Sequence, residues 1–182
     1  MAARCLRRAR PIAGSREAPP ARAVINRNPA MDRQTREAFL RTIPIFAGLE
    51  AAPLTSLASA AQEVSFTGGD LIVKEGEPGD RMYIIHTGQV RIVKDLGGLR
   101  ETSLALLGPG DFLGEMSIIE CVTRSASVLA MGPTQLFALK GMDLYRLFQR
   151  RPDQYAVIML NIARDLSRRL RAVDEKFAAI SH

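Results

Sequence analysis

Between residues 62 and 140 the apolar positions come in short runs: EVSFT, LIVKEG, MYIIHTG, QVRIVKD, ETSLALLG, SASVLAM and TQLFALKG. β-Branched and aromatic side chains dominate them. The breaks fall at Gly68-Gly69, Gly76, Pro78-Gly79, Gly88, Gly97-Gly98, Gly108-Pro109-Gly110 and Gly132-Pro133. Short runs with turn residues between them predict antiparallel strands closing a sandwich or barrel. No helix-length segment separates the runs, which disfavours a parallel α/β sheet.

On both sides of this region the period lengthens to that of a helix. Phe39, Leu40 and Ile43 form one apolar edge, and Pro44 interrupts it. IPIFAGL then reads as a tight turn or short helical piece. Pro53 suits the first turn of a second helix, PLTSLASAAQ. After residue 140, GMDLYRLFQRR reads as a short helix, and Pro152 opens another. From Tyr155 onward Met159, Ile162, Leu166, Leu170, Val173, Phe177 and Ile180 recur at steps of three and four, one stripe on one long helix. Arg164, Arg168, Arg169 and Arg171 lie off the stripe among Asp165, Asp174 and Glu175, as a solvated face.

Length and composition narrow the classes. The chain has 182 residues, enough for about one domain. No stretch approaches the roughly 18 apolar residues of a membrane span. Cys5 and Cys121 are the only cysteines and His86 and His182 the only histidines, too few for a disulfide scaffold or a structural zinc site. Seven arginines against Glu17 in residues 1–30 account for the whole formal charge of +6. Residues 31–182 balance to zero, which gives no global bias toward nucleic acid.

Residues 1–30 are rich in Ala, Arg and Pro and are expected to be a disordered basic extension. Three readings stand: a basic tail for nucleic acid or anionic lipid, an organelle transit peptide, or a misassigned start with translation from Met31. A secretory signal is disfavoured, since no apolar h-region follows the arginines. The folded domain is expected over residues 31–182.

The stretch GPGDFLGEMSIIECVTRSASV, residues 108–128, is the one that suggests chemistry. A short helix opening near Glu115 to Ser117 would present unpaired backbone N–H groups, a natural anion site. Arg124 enters a predicted strand among small residues and could face inward to the same turn. A buried guanidinium needs an anionic partner, and phosphate matches its fork. Glu115 has the opposite preference and can accept from a sugar hydroxyl. The pair describes a ribose phosphate.

These residues resemble the phosphate-binding cassette of the cyclic nucleotide-binding domain family, as in catabolite activators, protein kinase A regulatory subunits and cyclic-nucleotide-gated channels. The family pattern F-G-E-(aliphatic)-A-L, then P-R-A-A-(T/S)-V, reads here as Leu113-Gly114-Glu115-Met116-Ser117-Ile118 and Thr123-Arg124-Ser125-Ala126-Ser127-Val128. EGEPGDRMYIIHTGQVRIV, residues 75–93, resembles the family's G-x-x-G-D signature with its hydrophobic-aromatic strand. The resemblance covers about residues 36–180. It implies an α+β, mainly β fold: an antiparallel β-roll (a jelly-roll-like double-stranded β-helix) with N-terminal helices, a short cassette helix and a long C-terminal helix.

It also implies a site. Arg124 would bind the cyclic phosphate and Glu115 the ribose 2′-hydroxyl. Backbone amides near Glu115, Met116 and Ser117, and those of Ser125 and Ala126, would add phosphate contacts. Gly114 would allow close approach to the sugar. Leu113, Thr123, Ser117 and Ser125 depart from the family's Phe, Pro and alanines. Ser125 leaves the base open between cAMP and cGMP; the reading leans to cAMP. Arg169, Leu170 and Val173 are candidates to cap the base.

Plainer rivals exist for each residue. Arg124 could pair with Glu115 or Glu120 as a structural salt bridge, and Glu115 could serve only the helix dipole. The Gly76–Gly79 turn is read as structural, His86 as a strand residue without chemistry, and Cys121 as a plain small residue. No catalytic set and no metal-ligand cluster is visible. The implied function is a cytoplasmic, non-enzymatic, stand-alone sensor that couples ligand to movement of the terminal helix. No helix-turn-helix domain follows the long helix, so nucleic acid is disfavoured. The signal would pass to an unidentified effector protein, or through self-association by the apolar stripe. The alternatives are a ligand-free interaction module of the same fold and a DNA-binding regulator using the basic tail.

Overall fold

A computed structural model describes residues 31–120 and 122–180. The readings of residues 1–30, Cys121 and His182 concern positions outside the described residues.

Helix α1 (Arg33–Thr42) opens where the Asp32 carboxylate accepts the Thr35 N–H at 3.0 Å, an ordinary N-cap. It stops at Ile43, whose backbone is extended because the residue before a proline is pushed out of the helical region. Pro44–Phe46 form one 3-10 turn, and α2 (Ala51–Ala60) follows with Pro53 in its first turn.

Eight strands come next: β1 (Gln62–Phe66), β2 (Leu71–Val73), β3 (Arg81–Thr87), β4 (Val90–Lys94), β5 (Thr102–Leu107), β6 (Phe112–Leu113), β7 (Ser127–Ala130) and β8 (Thr134–Lys140). They form two antiparallel sheets, ordered β1-β8-β3-β6 and β2-β7-β4-β5. The architecture is the β-roll expected from the sequence. Strand β6 is the one the periodicity did not reveal, since two residues show no alternation. Helix α3 (Glu115–Glu120) lies between β6 and β7, and α4 (Gly141–Arg150) and α5 (Pro152–Ile180) close the chain.

The roll encloses Phe66, Ile72, Val73, Ile85, Val90, Leu113, Val128, Ala130 and Leu136, drawn from both sheets. The outer face of the first sheet carries a second core. There Met82, Ile84, Phe137 and Leu139 meet Leu40, Ile45, Phe46, Leu54, Ile158 and Ile162 from the helices. Strand β8 is therefore buried on both faces, which is why LFAL runs apolar without alternation. Helix α5 uses its stripe unevenly. Ile158 and Ile162 are buried, and Tyr155, Met159 and Leu166 pack beside them. Further along, Leu170, Val173 and Phe177 are 62%, 60% and 73% exposed. No helix among the described residues is long and apolar enough to cross a membrane.

Phe137 is fully buried, with ring centroids 5.7 Å from Phe39 and 5.4 Å from His86. Phe137→Ala should destabilise the protein by about 3–5 kcal/mol through lost transfer energy and a residual cavity. A urea unfolding curve with unchanged slope measures it.

Candidate ligand-binding site

Two chain segments meet at the site. The first leaves β6 at Leu113, turns through Gly114 with φ +82, and starts α3 at Glu115. The second brings Arg124 to the edge of β7. The 75–80 turn pins this second segment: the Gly76 N–H donates to the Arg124 carbonyl at 2.9 Å, and the Arg124 N–H donates to the Glu77 carbonyl at 2.8 Å. Pro78 and Thr123 form an isolated antiparallel bridge beside them.

The Arg124 side chain then crosses to the first segment. Its Nη1 donates to the Gly114 carbonyl at 3.2 Å and its Nη2 to the Arg81 carbonyl at 2.7 Å. Only 7% of the residue is exposed. Among the described residues no carboxylate lies within salt-bridge distance of it. Asp80, the acid of the neighbouring turn, is instead bidentate with Arg81, at 2.7 and 2.9 Å. The structure thus departs from the reading of Arg124 as a salt bridge to Glu115 or Glu120. A full positive charge rests on two neutral carbonyls, and burial pulls its pKa down.

Glu115 is 4% exposed, and burial pushes its carboxyl above the usual range, while the fields of Arg169 and Arg124 pull it back. Ser117 is buried, Met116 is partly exposed on the same helix, and Ala126 is buried beyond Arg124. Ser125 is exposed, and its carbonyl accepts from Lys94 Nζ at 2.9 Å. Gly114, Glu115, Ser117 and Arg124 therefore converge, with Met116, Ser125 and Ala126 on the two segments that frame them.

Gly79 lies in the turn that precedes β3. A Cβ built on it would lie 2.5 Å from Ser117 Cβ and 2.7 Å from Arg124 Nε. The turn packs directly under the Arg124 guanidinium. A Cβ on Gly114 would collide with Arg124 Nη1 as well. Both glycines leave the space that the guanidinium occupies. Tyr83, also missed by sequence reasoning, is partly buried beside Arg81 and Arg124; desolvation raises the pKa of its hydroxyl, and the fields of the two arginines offset part of that rise. The aromatic position in the G-x-x-G-D strand was the available signal.

Helix α5 reaches the same region. Arg169 Nη2 donates to the Phe112 carbonyl at 3.2 Å, and its guanidinium stands 4.7 Å above the Phe112 ring. Asp165 holds Arg169 Nε at 2.6 Å. Leu170 and Val173, the other two cap candidates, are exposed.

The two sheets and the cassette between β6 and β7 define a ligand-binding type of β-roll. Residues 63–151 match the model of the cyclic nucleotide-binding domain. The cyclic AMP receptor protein of Thermus thermophilus is 36% identical over 138 residues, which is 76% of this chain and 62% of that protein. The chain thus spans about three fifths of that relative's length. A cyclic nucleotide-binding domain from Methylobacillus flagellatus superposes with a TM-score of 0.70 at 26% identity, covering 81% of this chain and 83% of that one. The N-terminal domain of a transcriptional regulator from Streptomyces coelicolor gives 0.63 at 32% identity, covering 74% and 94%. The chain belongs to the cyclic nucleotide-binding domain family.

Gly79→Ala and Gly114→Ala should each cost about 1–3 kcal/mol by overpacking. Gly108→Ala, with open space around it, should stay within about 0.5 kcal/mol; denaturant unfolding separates the three. Glu115→Gln should stabilise the ligand-free protein at neutral pH. A carboxyl raised by burial stabilises the fold fully only below its unfolded pKa, and that contribution is lost as pH rises through the folded value. The advantage of the variant should therefore shrink as pH falls into the acid range. Thermal melts across that range check the sign.

Proposed function

We propose that this protein is a non-enzymatic sensor of a cyclic nucleotide. The observation that carries the reading is the buried Arg124, which among the described residues has two carbonyls and no carboxylate for partners, a few residues from the buried Glu115. A cyclic phosphate supplies the missing counter-charge, and its oxygens suit the N–H groups of a guanidinium. Glu115 accepts from the ribose 2′-hydroxyl. The amides of Glu115, Met116, Ser117, Ser125 and Ala126 complete the phosphate contacts, and Gly114 lets the sugar approach. The ligand-binding unit is residues 31–182.

The preferred nucleotide is cAMP, with cGMP as the competing ligand. The Thermus thermophilus relative is named for cyclic AMP, which supports that order. Arg169 is the favoured base cap, since it already stands at the edge of the cassette while Leu170 and Val173 face outward. Closure of α5 over the base is the coupling step. The output passes to an effector protein, or to a second copy through the outer part of the stripe. A second reading, a regulator acting on nucleic acid, has one observation behind it: the Streptomyces coelicolor neighbour is part of a transcriptional regulator.

Calorimetric titration of nucleotide-stripped protein with cAMP and then cGMP tests the proposal. Arg124→Ala should weaken binding roughly 100-fold, as expected for two charge-assisted hydrogen bonds. Absence of binding to either nucleotide by the wild type would sink it. Steeply salt-dependent DNA binding would favour the second reading.

A further inference from the structure

The junction of α4 and α5 is a single residue, Arg151, and it is tied to the N-terminal helices by side chains about a hundred positions away. Arg151 Nη1 and Nη2 reach both oxygens of Glu50 at 3.0 and 2.7 Å. The same guanidinium holds Asp153 in the first turn of α5, Nε at 3.1 Å and Nη2 at 2.7 Å. Glu50 is the N-cap residue of α2, yet its side chain makes no cap bond there; it is spent on the junction.

Beneath the charges lies a less solvated tie. Gln154 is 7% exposed. Its Oε1 accepts the Glu50 N–H at 2.9 Å, and its Nε2 donates to Glu50 Oε1 at 3.2 Å and to Asp153 Oδ2 at 3.1 Å. Two turns further, Asn161 Nδ2 donates to the Ile45 carbonyl at 3.2 Å and the Ala47 carbonyl at 2.8 Å. Positions 154, 158 and 161 share one face of the helix. Gln154 and Asn161 thus bracket the buried Ile158 and fasten the base of α5 to the 3-10 turn and the start of α2.

We infer that Glu50, Arg151 and Gln154 are positioning residues: their latch fixes the tilt of α5, and through it the residence time of the nucleotide. The inference rests on the sensor reading above. The lever is long. Arg169 lies fifteen residues beyond Gln154, roughly 22 Å along the helix at 1.5 Å per residue. A tilt of about 5° at the base moves its guanidinium by about 2 Å, enough to lose the Phe112 carbonyl. An isolated surface pair would be too weak for this role. Here bidentate geometry, a second carboxylate and a buried amide act on one hinge. Their mutual hydrogen bonds first, and their opposite charges second, hold Arg151 above, and Glu50 and Asp153 below, their ordinary pKa values, so the latch stays charged near neutrality. It responds to ionic strength rather than to pH.

The experiment follows dissociation of a fluorescent cAMP analogue by stopped flow, together with amide hydrogen exchange over residues 163–175 of the ligand-free protein. Arg151→Gln and Gln154→Leu should each speed dissociation roughly 3- to 10-fold, with association within about twofold. The conservative Arg151→Lys keeps a cation between Glu50 and Asp153 and should leave dissociation closer to wild type than Arg151→Gln. Exchange should rise in Arg151→Gln and Gln154→Leu and rise less in Arg151→Lys. Unchanged dissociation in both Arg151→Gln and Gln154→Leu, or equal acceleration in Arg151→Lys and Arg151→Gln, overturns the latch. Failure of the wild type to bind overturns the sensor reading instead, and exchange in the ligand-free protein then decides the latch alone.

Discussion

Arg124, a buried cation with no carboxylate partner among the described residues, organises the cassette end of this protein. Arg124 is enclosed on nearly all sides, and its guanidinium is held by two neutral carbonyls. Such a charge is unfavourable unless neighbouring dipoles are fixed toward it. Much of the local architecture supplies that fixation. Gly114 turns its carbonyl inward by adopting a left-handed backbone. The Arg81 carbonyl is set by the pairing of β3 with β8, where Arg81 stands opposite Lys140. Gly79 leaves room, and the hydrogen bonds of Gly76 and Glu77 hold the Arg124 backbone. The cassette, the turn before β3 and the sheet edge are thus one assembly.

How much of this was readable depended on the distance over which each signal acts. The strands were legible because turn glycines and alternation are local, and β8 was found despite lacking alternation because Gly132-Pro133 and Gly141 bound it. Strand β6 escaped because two residues carry no period. Glu115 and Arg124 were legible through the cassette motif, whereas the role of Gly79 was not. A glycine in a turn has a sufficient local explanation, and nothing in its neighbours says which side chain it makes room for. The pairing of Glu50 with Arg151 spans 101 positions and leaves no pattern at all. The stripe on α5 was visible along its full length, but only packing separates its buried part from its exposed part.

That division gives α5 two mechanical characters. Its first turns are part of the core, with Ile158 and Ile162 against the helices and the sheet. Its outer turns reach the roll at Arg169, which is itself held by Asp165 one turn back. A helix seated in a core at its base carries small displacements along its length, because its hydrogen-bonded backbone is stiff. The tilt at the base therefore sets where Arg169 stands.

The sheet formed by β1, β8, β3 and β6 is a party wall. One of its faces closes the roll that carries Arg124, and the other receives α1, α2, α4 and α5. Neither side has a complete core without it: Ile85 and Leu136 face one compartment, while Met82, Ile84, Phe137 and Leu139 face the other. The two compartments therefore cannot melt one after the other without tearing a strand that both share. Any free energy added on the cassette side of this wall would be felt as added cohesion in α1 and α2 as well. A local gain there would become a property of the whole fold, expressed as heightened cooperativity.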